Sequence, residues 1–106
     1  MNSKHSLIDI NQAKKIASEK AEPLLKKFIV NNNIPLLQDY FIEGDECWMF
    51  FMNKAITIPE EYSLNKGAYV VSKKGAFRHI ADFSDEPEKL QAYLKTMSKY
   101  FKEKGE

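Results

Sequence analysis

The apolar residues of this chain recur with two different periods. From Ile10 to Phe28 they fall three and four apart, at Ile10, Ala13, Ile16, Ala17, Ala21, Leu24, Leu25 and Phe28, with lysines and glutamates between them. That spacing predicts an amphipathic helix with one buried stripe. Asp9 or Asn11 is placed to cap it. The Asn31-Asn32-Asn33 run before Ile34-Pro35 should stop it, because Asn tolerates turn conformations and proline restricts the residue before it. Pro23 lies inside the pattern, lacks a backbone donor and crowds the preceding turn, so a kink or two shorter helices are expected there.

From Leu36 the period shortens. Residues 36–42 read as a strand, Glu43-Gly44-Asp45 as a turn and residues 46–53 as the returning strand. The returning strand is apolar on both sides, with Trp48, Phe50 and Met52 on one and Cys47, Met49 and Phe51 on the other. Such a strand belongs inside a sheet covered on both faces. Residues 54–67 form a loop punctuated by Pro59 and by Asn65-Lys66-Gly67, with Ile56 and Ile58 in a short edge segment. A second hairpin follows: residues 68–72, the turn Lys73-Lys74-Gly75, then residues 76–81. Ser84 and Asp85 are candidate caps for a last helix, and Asp85 with Glu88 approximates a capping box beside Pro87. Leu90, Leu94, Met97 and Phe101 supply its stripe, while Lys95, Lys99 and Lys102 stay outside.

These elements predict a single α+β domain over residues 1–106: an antiparallel sheet of about four strands, with the N-terminal and C-terminal helices packed on one face. Residues 1–9 are read as a flexible tail. The opposite face then needs cover from the 54–67 loop, a second copy of the chain or another protein.

Composition removes several classes. With 43% hydrophobic and 29% charged residues the chain is neither disordered nor membrane-spanning in character. Its longest apolar run, Cys47 to Met52, is six residues, against the roughly 20 that cross a bilayer. The N-terminal residues show no leader pattern, so a cytoplasmic location without membrane contact is expected. A lone Cys47 makes no internal disulfide. The net charge of +1 hides an asymmetry: residues 1–37 and 89–106 each carry +3, residues 67–88 carry −1, and residues 38–66 carry −4. The ends are basic and the middle is acidic, which bears on the choice of partner.

Candidate chemistry is sparse. Cys47 is the only thiol and His79 the only imidazole beyond the N-terminal residues, but a thiol on an apolar strand loses the solvation that favours its thiolate. His79 and Asp82 lie three apart on a predicted strand and project to opposite faces, so no metal site is expected. Asp45/Glu46 and Glu60/Glu61 are adjacent acids in turns, which solvate loops more often than they span a cleft. The four glycines match no phosphate-cradling fingerprint. No catalytic residue, cofactor or metal is assigned. Nucleic-acid binding is disfavoured: the helices are lysine-rich, but Arg78 is the only arginine and the aromatic sheet segment is acidic. Trp48, Phe50 and Phe51 are assigned to the core, whereas Tyr62, following Pro59-Glu60-Glu61 in a surface loop, suits a protein-binding edge.

One resemblance carries further. An N-terminal amphipathic helix is followed by Cys47-Trp48-Met49-Phe50-Phe51, a loop ending Leu64-Asn65-Lys66-Gly67, the hairpin Ala68-Tyr69-Val70-Val71-Ser72-Lys73-Lys74-Gly75 and a short C-terminal helix. This order, over roughly residues 10–100, resembles the small bacterial YrhB-like immunity proteins of polymorphic-toxin systems. The resemblance implies a non-enzymatic protein that binds and neutralises a cognate toxin domain, often a nuclease. Nuclease sites are basic because they hold phosphates, so an inhibitor gains association rate by presenting carboxylates. The candidate partner-binding residues are Glu60, Glu61 and Tyr62 in the loop, and Glu43, Asp45 and Glu46 in the first hairpin. An orphan homodimeric scaffold is the alternative, followed by a nucleic-acid-binding module.

Overall fold

A computed structural model describes residues 7–29, 34–65 and 67–106. A helix α1 (Ile10–Leu25) leads into a hairpin of β1 (Leu37–Glu43) and β2 (Cys47–Met52). A second hairpin, β3 (Ala68–Ser72) and β4 (Phe77–Ile80), precedes helix α2 (Pro87–Lys104). The four strands form one antiparallel sheet in chain order, β1-β2-β3-β4. The α+β class and the strand count agree with the sequence reading.

The helices, however, do not share a face. Ala13, Ala17, Ala21 and Leu25 of α1 close a core with Trp48, Phe50, Tyr69 and Val71, whereas Leu90, Leu94, Met97 and Phe101 of α2 close another with Cys47, Met49, Phe51, Ala68 and Val70. Alternate residues of β2 therefore point to different helices, as a period of two requires. Placing both helices on one face was an error. Both sides of β2 and β3 are apolar, and leaving either one open would expose several full-sized side chains at about 1.5–3 kcal/mol each. Each face thus has its own helix, with Ile56 and Ile58 of the 54–67 loop adding to the cover on the α1 side, and the sheet-face argument for a homodimer loses its ground.

The two cores differ in how volume is shared. A small-residue stripe on α1 lets that helix approach a bulky sheet face, whereas the large stripe on α2 meets a face of mixed size, with Met49 and Phe51 beside Cys47, Ala68 and Val70.

Local details follow the residues. The Asp9 side chain accepts from the Gln12 N–H at 2.8 Å while Gln12 Oε1 accepts from the Asp9 N–H at 2.9 Å, a reciprocal cap. Residues 7–9 are not a loose tail, since the Ile8 N–H donates to the Lys73 carbonyl at 2.8 Å. Pro23 is carried within α1, which ends two residues later and tightens into a 3-10 turn over Lys26–Phe28. The Asn31–Asn33 stop lies outside the described residues. Helix α2 starts from Glu86 with Pro87 in its first turn, and no side chain caps it. The Asp85/Glu88 capping box is therefore not formed, since the helix begins one residue later than that motif requires. Ile56 and Ile58 pair with no strand but are buried in the α1-side core, and residues Glu60–Asn65 make a 3-10 turn. Gly67, at φ +151°, enters β3 where an added Cβ would lie 2.3 Å from the Ile80 carbonyl oxygen, so only glycine fits.

Candidate interaction surface

The six acidic and aromatic candidates fall at two ends of the sheet. Gly44 donates its N–H to the Cys47 carbonyl at 2.8 Å, so Asp45 and Glu46 form a two-residue loop at the end shared with the β3–β4 turn. There the Lys73 N–H donates to the Glu46 carbonyl at 2.8 Å. Glu60, Glu61 and Tyr62 lie on the connection that leaves the far end of β2 and returns to the start of β3. Antiparallel pairing through β2 thus keeps the two groups apart, and they do not form one patch.

Each group is also less free than a carboxylate list suggests. The Glu43 carboxylate is bonded to the Lys73 ammonium, which sits 4.2 Å from the Trp48 ring centroid. Asp45 and Glu46 border a cleft of about 550 Å³ whose other wall is α2, with Lys95, Lys99 and Lys102. The surface at this end is of mixed sign. Gly44 sets the approach of turn and helix: an added Cβ would stand 2.7 Å from Ser98 Oγ and 3.0 Å from Leu94 Cγ. Ser98 Oγ in turn accepts from the Glu46 N–H at 3.2 Å and lies 3.5 Å from Cys47 Sγ. At the other end Tyr62 tilts against Phe28, 5.3 Å between centroids, with the Lys27 ammonium 4.1 Å from the Tyr62 ring. Tyr62 therefore fastens the loop to the end of α1 while leaving its outer part exposed.

Of Cys47, His79 and Asp82 only Cys47 lies in the core, while His79 is half-buried and Asp82 exposed. Cys47 is fully buried, and that burial pushes its thiol above the ordinary range against the weaker opposing pull of the Ser98 hydrogen bond. His79 stacks on Tyr69, 5.2 Å between centroids and 15° between planes. Asp82 uses its carboxylate to accept from the Ser84 N–H at 2.8 Å. Among the described residues no group of three or more His, Cys, Asp or Glu is placed to hold a metal ion, and no helix is long and apolar enough to cross a membrane.

The strand expected over residues 36–42 forms, but its residues Asp39, Tyr40 and Phe41 are not among the candidate partner-binding residues read from the sequence. Tyr40 and Phe41 are 54% and 38% exposed, yet Tyr40 stacks on Phe51 at 5.4 Å and Phe41 leans on Phe50 at 5.8 Å between centroids. Asp39 beside them is fully exposed, with Lys14 Nζ 3.8 Å away. The available signal was that β1 is less continuously apolar than β2, which marks it as the outer member of the hairpin.

The fold so defined is a three-layer sandwich, one helix on each side of a four-stranded antiparallel meander. No protein-family model, curated protein or solved structure matches the chain.

Proposed function

We propose that the chain is an immunity protein, which binds a cognate toxin domain by protein–protein contact and neutralises it. The observation that carries this reading is the juxtaposition of exposed carboxylates with half-exposed aromatics that rest on a neighbouring ring, on the acidic middle of the chain: Asp39 with Tyr40 and Phe41 on β1, and Glu60 and Glu61 with Tyr62 on the loop. Aromatic side chains already held by neighbours lose little entropy on docking and anchor interfaces, while carboxylates steer a basic partner to them. A nuclease domain, whose phosphate-binding site is basic, is the partner this charge favours. The burial of Cys47, which disfavours its thiolate, argues against a cysteine nucleophile at that position.

The experiment is to read the reading frame immediately upstream and, if it encodes a large secreted protein with a variable C-terminal domain, to co-express that domain with this chain; an enzyme operon there would count against immunity. Growth arrest by that domain alone, relieved by this chain, together with a measured complex, supports immunity. Unrelieved arrest with no complex overturns it. Glu60→Lys with Glu61→Lys should weaken the complex without altering the far-UV spectrum, and an unchanged Kd would remove the loop from the interface.

A further inference from the structure

β1 is a sheet edge of unusual chemistry, with no strand paired to its outer side among the described residues. Between Lys27 and Lys54 the sequence contains no lysine or arginine, but it contains Asp39, Glu43, Asp45 and Glu46. Edge strands are commonly guarded against strand addition by lysine, by bulges or by a covering element. Here α1 lies over β2, β3 and β4, and α2 lies over β2 and β3. The β1 register shifts between Leu37 and Phe41, a bulge in which Gln38 Nε2 donates to the Met52 carbonyl at 3.0 Å. Past the bulge the ladder is regular, with Phe41 opposite Phe50, Ile42 opposite Met49 and Glu43 opposite Trp48. Gly44 and Cys47 form a hydrogen-bonded pair, so the alternation of an antiparallel ladder turns the N–H and C=O groups of Phe41 and Glu43 outward.

From this we propose that the β1 edge receives an extended, lysine- or arginine-bearing segment of a partner protein by strand addition, with Phe41 and Glu43 supplying the backbone bonds and Tyr40 and Phe41 the flanking apolar contacts. The occupant is a cationic strand because the strand's own charges are carboxylates, Asp39 and Glu43, which an incoming lysine or arginine would share with, or take from, their present partners Lys14 and Lys73. A second copy of the chain is disfavoured on the same ground: antiparallel pairing of two β1 edges about Phe41 sets Asp39 opposite Glu43 twice, and like charges directly across a ladder repel. The proposal rests on the protein-binding reading above and specifies its docking mode.

The test uses the full chain, labelled with nitrogen-15, and a short peptide of alternating lysine and valine. Two controls are run beside it: the same peptide N-methylated at every residue, which keeps the charge and loses every backbone donor, and a glutamate-for-lysine version. The expected result is amide shifts centred on Phe41 and Glu43, with each control binding at least roughly ten-fold more weakly. Equal binding by the N-methylated peptide, shifts centred on the α2 cleft or on residues 60–62, no binding at millimolar peptide, or dimerisation of the chain through β1 would overturn the proposal. The peptide result is independent of the toxin experiment. A docking peptide with an un-neutralised toxin domain removes the immunity reading alone. A neutralised toxin domain that leaves β1 amide exchange unchanged removes strand addition alone.

Discussion

β1 and β3 flank the same central strand, but they differ in residue type, β1 carrying Gln38, Asp39 and Glu43 and β3 no charged residue, and they end in opposite environments. All five residues of β3 are buried, while in β1 only Leu37 is, and Asp39, Tyr40 and Phe41 stand exposed in a row. The helices complete the difference that the strand sequences begin. Two helices of ordinary width cover the two central strands from both sides, and a four-stranded sheet is wider than either. A strand at the margin keeps one side of its backbone and part of each face in contact with solvent. Stability is therefore concentrated in β2 and β3, and surface available to a partner in β1.

The comparison can be broken first where burial is deepest. Phe50→Ala removes a fully buried ring beneath α1 and should cost about 3–5 kcal/mol of unfolding free energy by urea titration. A loss below about 1 kcal/mol would mean that the α1 layer is not packed as described. Gly44→Ala presses a methyl group onto Ser98 and Leu94 at the junction of the first hairpin with α2, and should cost about 1–3 kcal/mol. Ser98→Ala is no rescue, because it removes the acceptor for the Glu46 N–H.

Tyr69 sharpens the comparison from the other direction. Its hydroxyl is the one buried side-chain polar atom without a hydrogen-bond partner among the described residues, and burial pushes its pKa up to about 12. Removing an unsatisfied hydroxyl while keeping the ring is neutral or favourable, so Tyr69→Phe should stabilise by up to about 1 kcal/mol. The linkage has a definite sign. Between the ordinary tyrosine value of 10.0 and about 12 the unfolded chain loses this proton before the folded one does, so stability falls as pH rises through that window. The same substitution should flatten that slope relative to the parent, measured by denaturation at matched alkaline pH. An unchanged slope would show that other groups set the alkaline limit.

The smallest stability effect belongs to the edge. Tyr40→Ala leaves the sheet hydrogen bonds intact and removes one half-exposed stacked ring, at about 1 kcal/mol or less. The same change should weaken a protein complex by more than it weakens the fold if β1 is the docking strand. Equal and small effects on both would return β1 to an ordinary solvated edge.

Much of this was legible in the sequence. The period of three and four over Ile10 to Phe28 and Leu90 to Phe101 marked both helices, and period two with short turns marked both hairpins. The doubly apolar Cys47–Met52 segment marked the central strand. The candidate acids were legible as residues but not as a surface. That Glu43 is tied to Lys73, and that Tyr62 rests on Phe28, depends on segments 30 and 34 positions apart coming together.

The sequence alone determined the elements, their order and the hairpin pairings, because periodicity and turn chemistry act over a few neighbouring residues. Only the tertiary structure decided which helix covers which face and which strand is left at the margin. Each helix presents one apolar stripe and β2 presents two apolar faces, so local pattern is satisfied by either assignment. The choice falls to how the surfaces fit, with Ala13, Ala17 and Ala21 seated against Trp48, Phe50 and Tyr69, and Leu90, Leu94 and Phe101 against Met49, Phe51, Ala68 and Val70. Close packing is a property of two surfaces brought together, and it is written in neither one by itself.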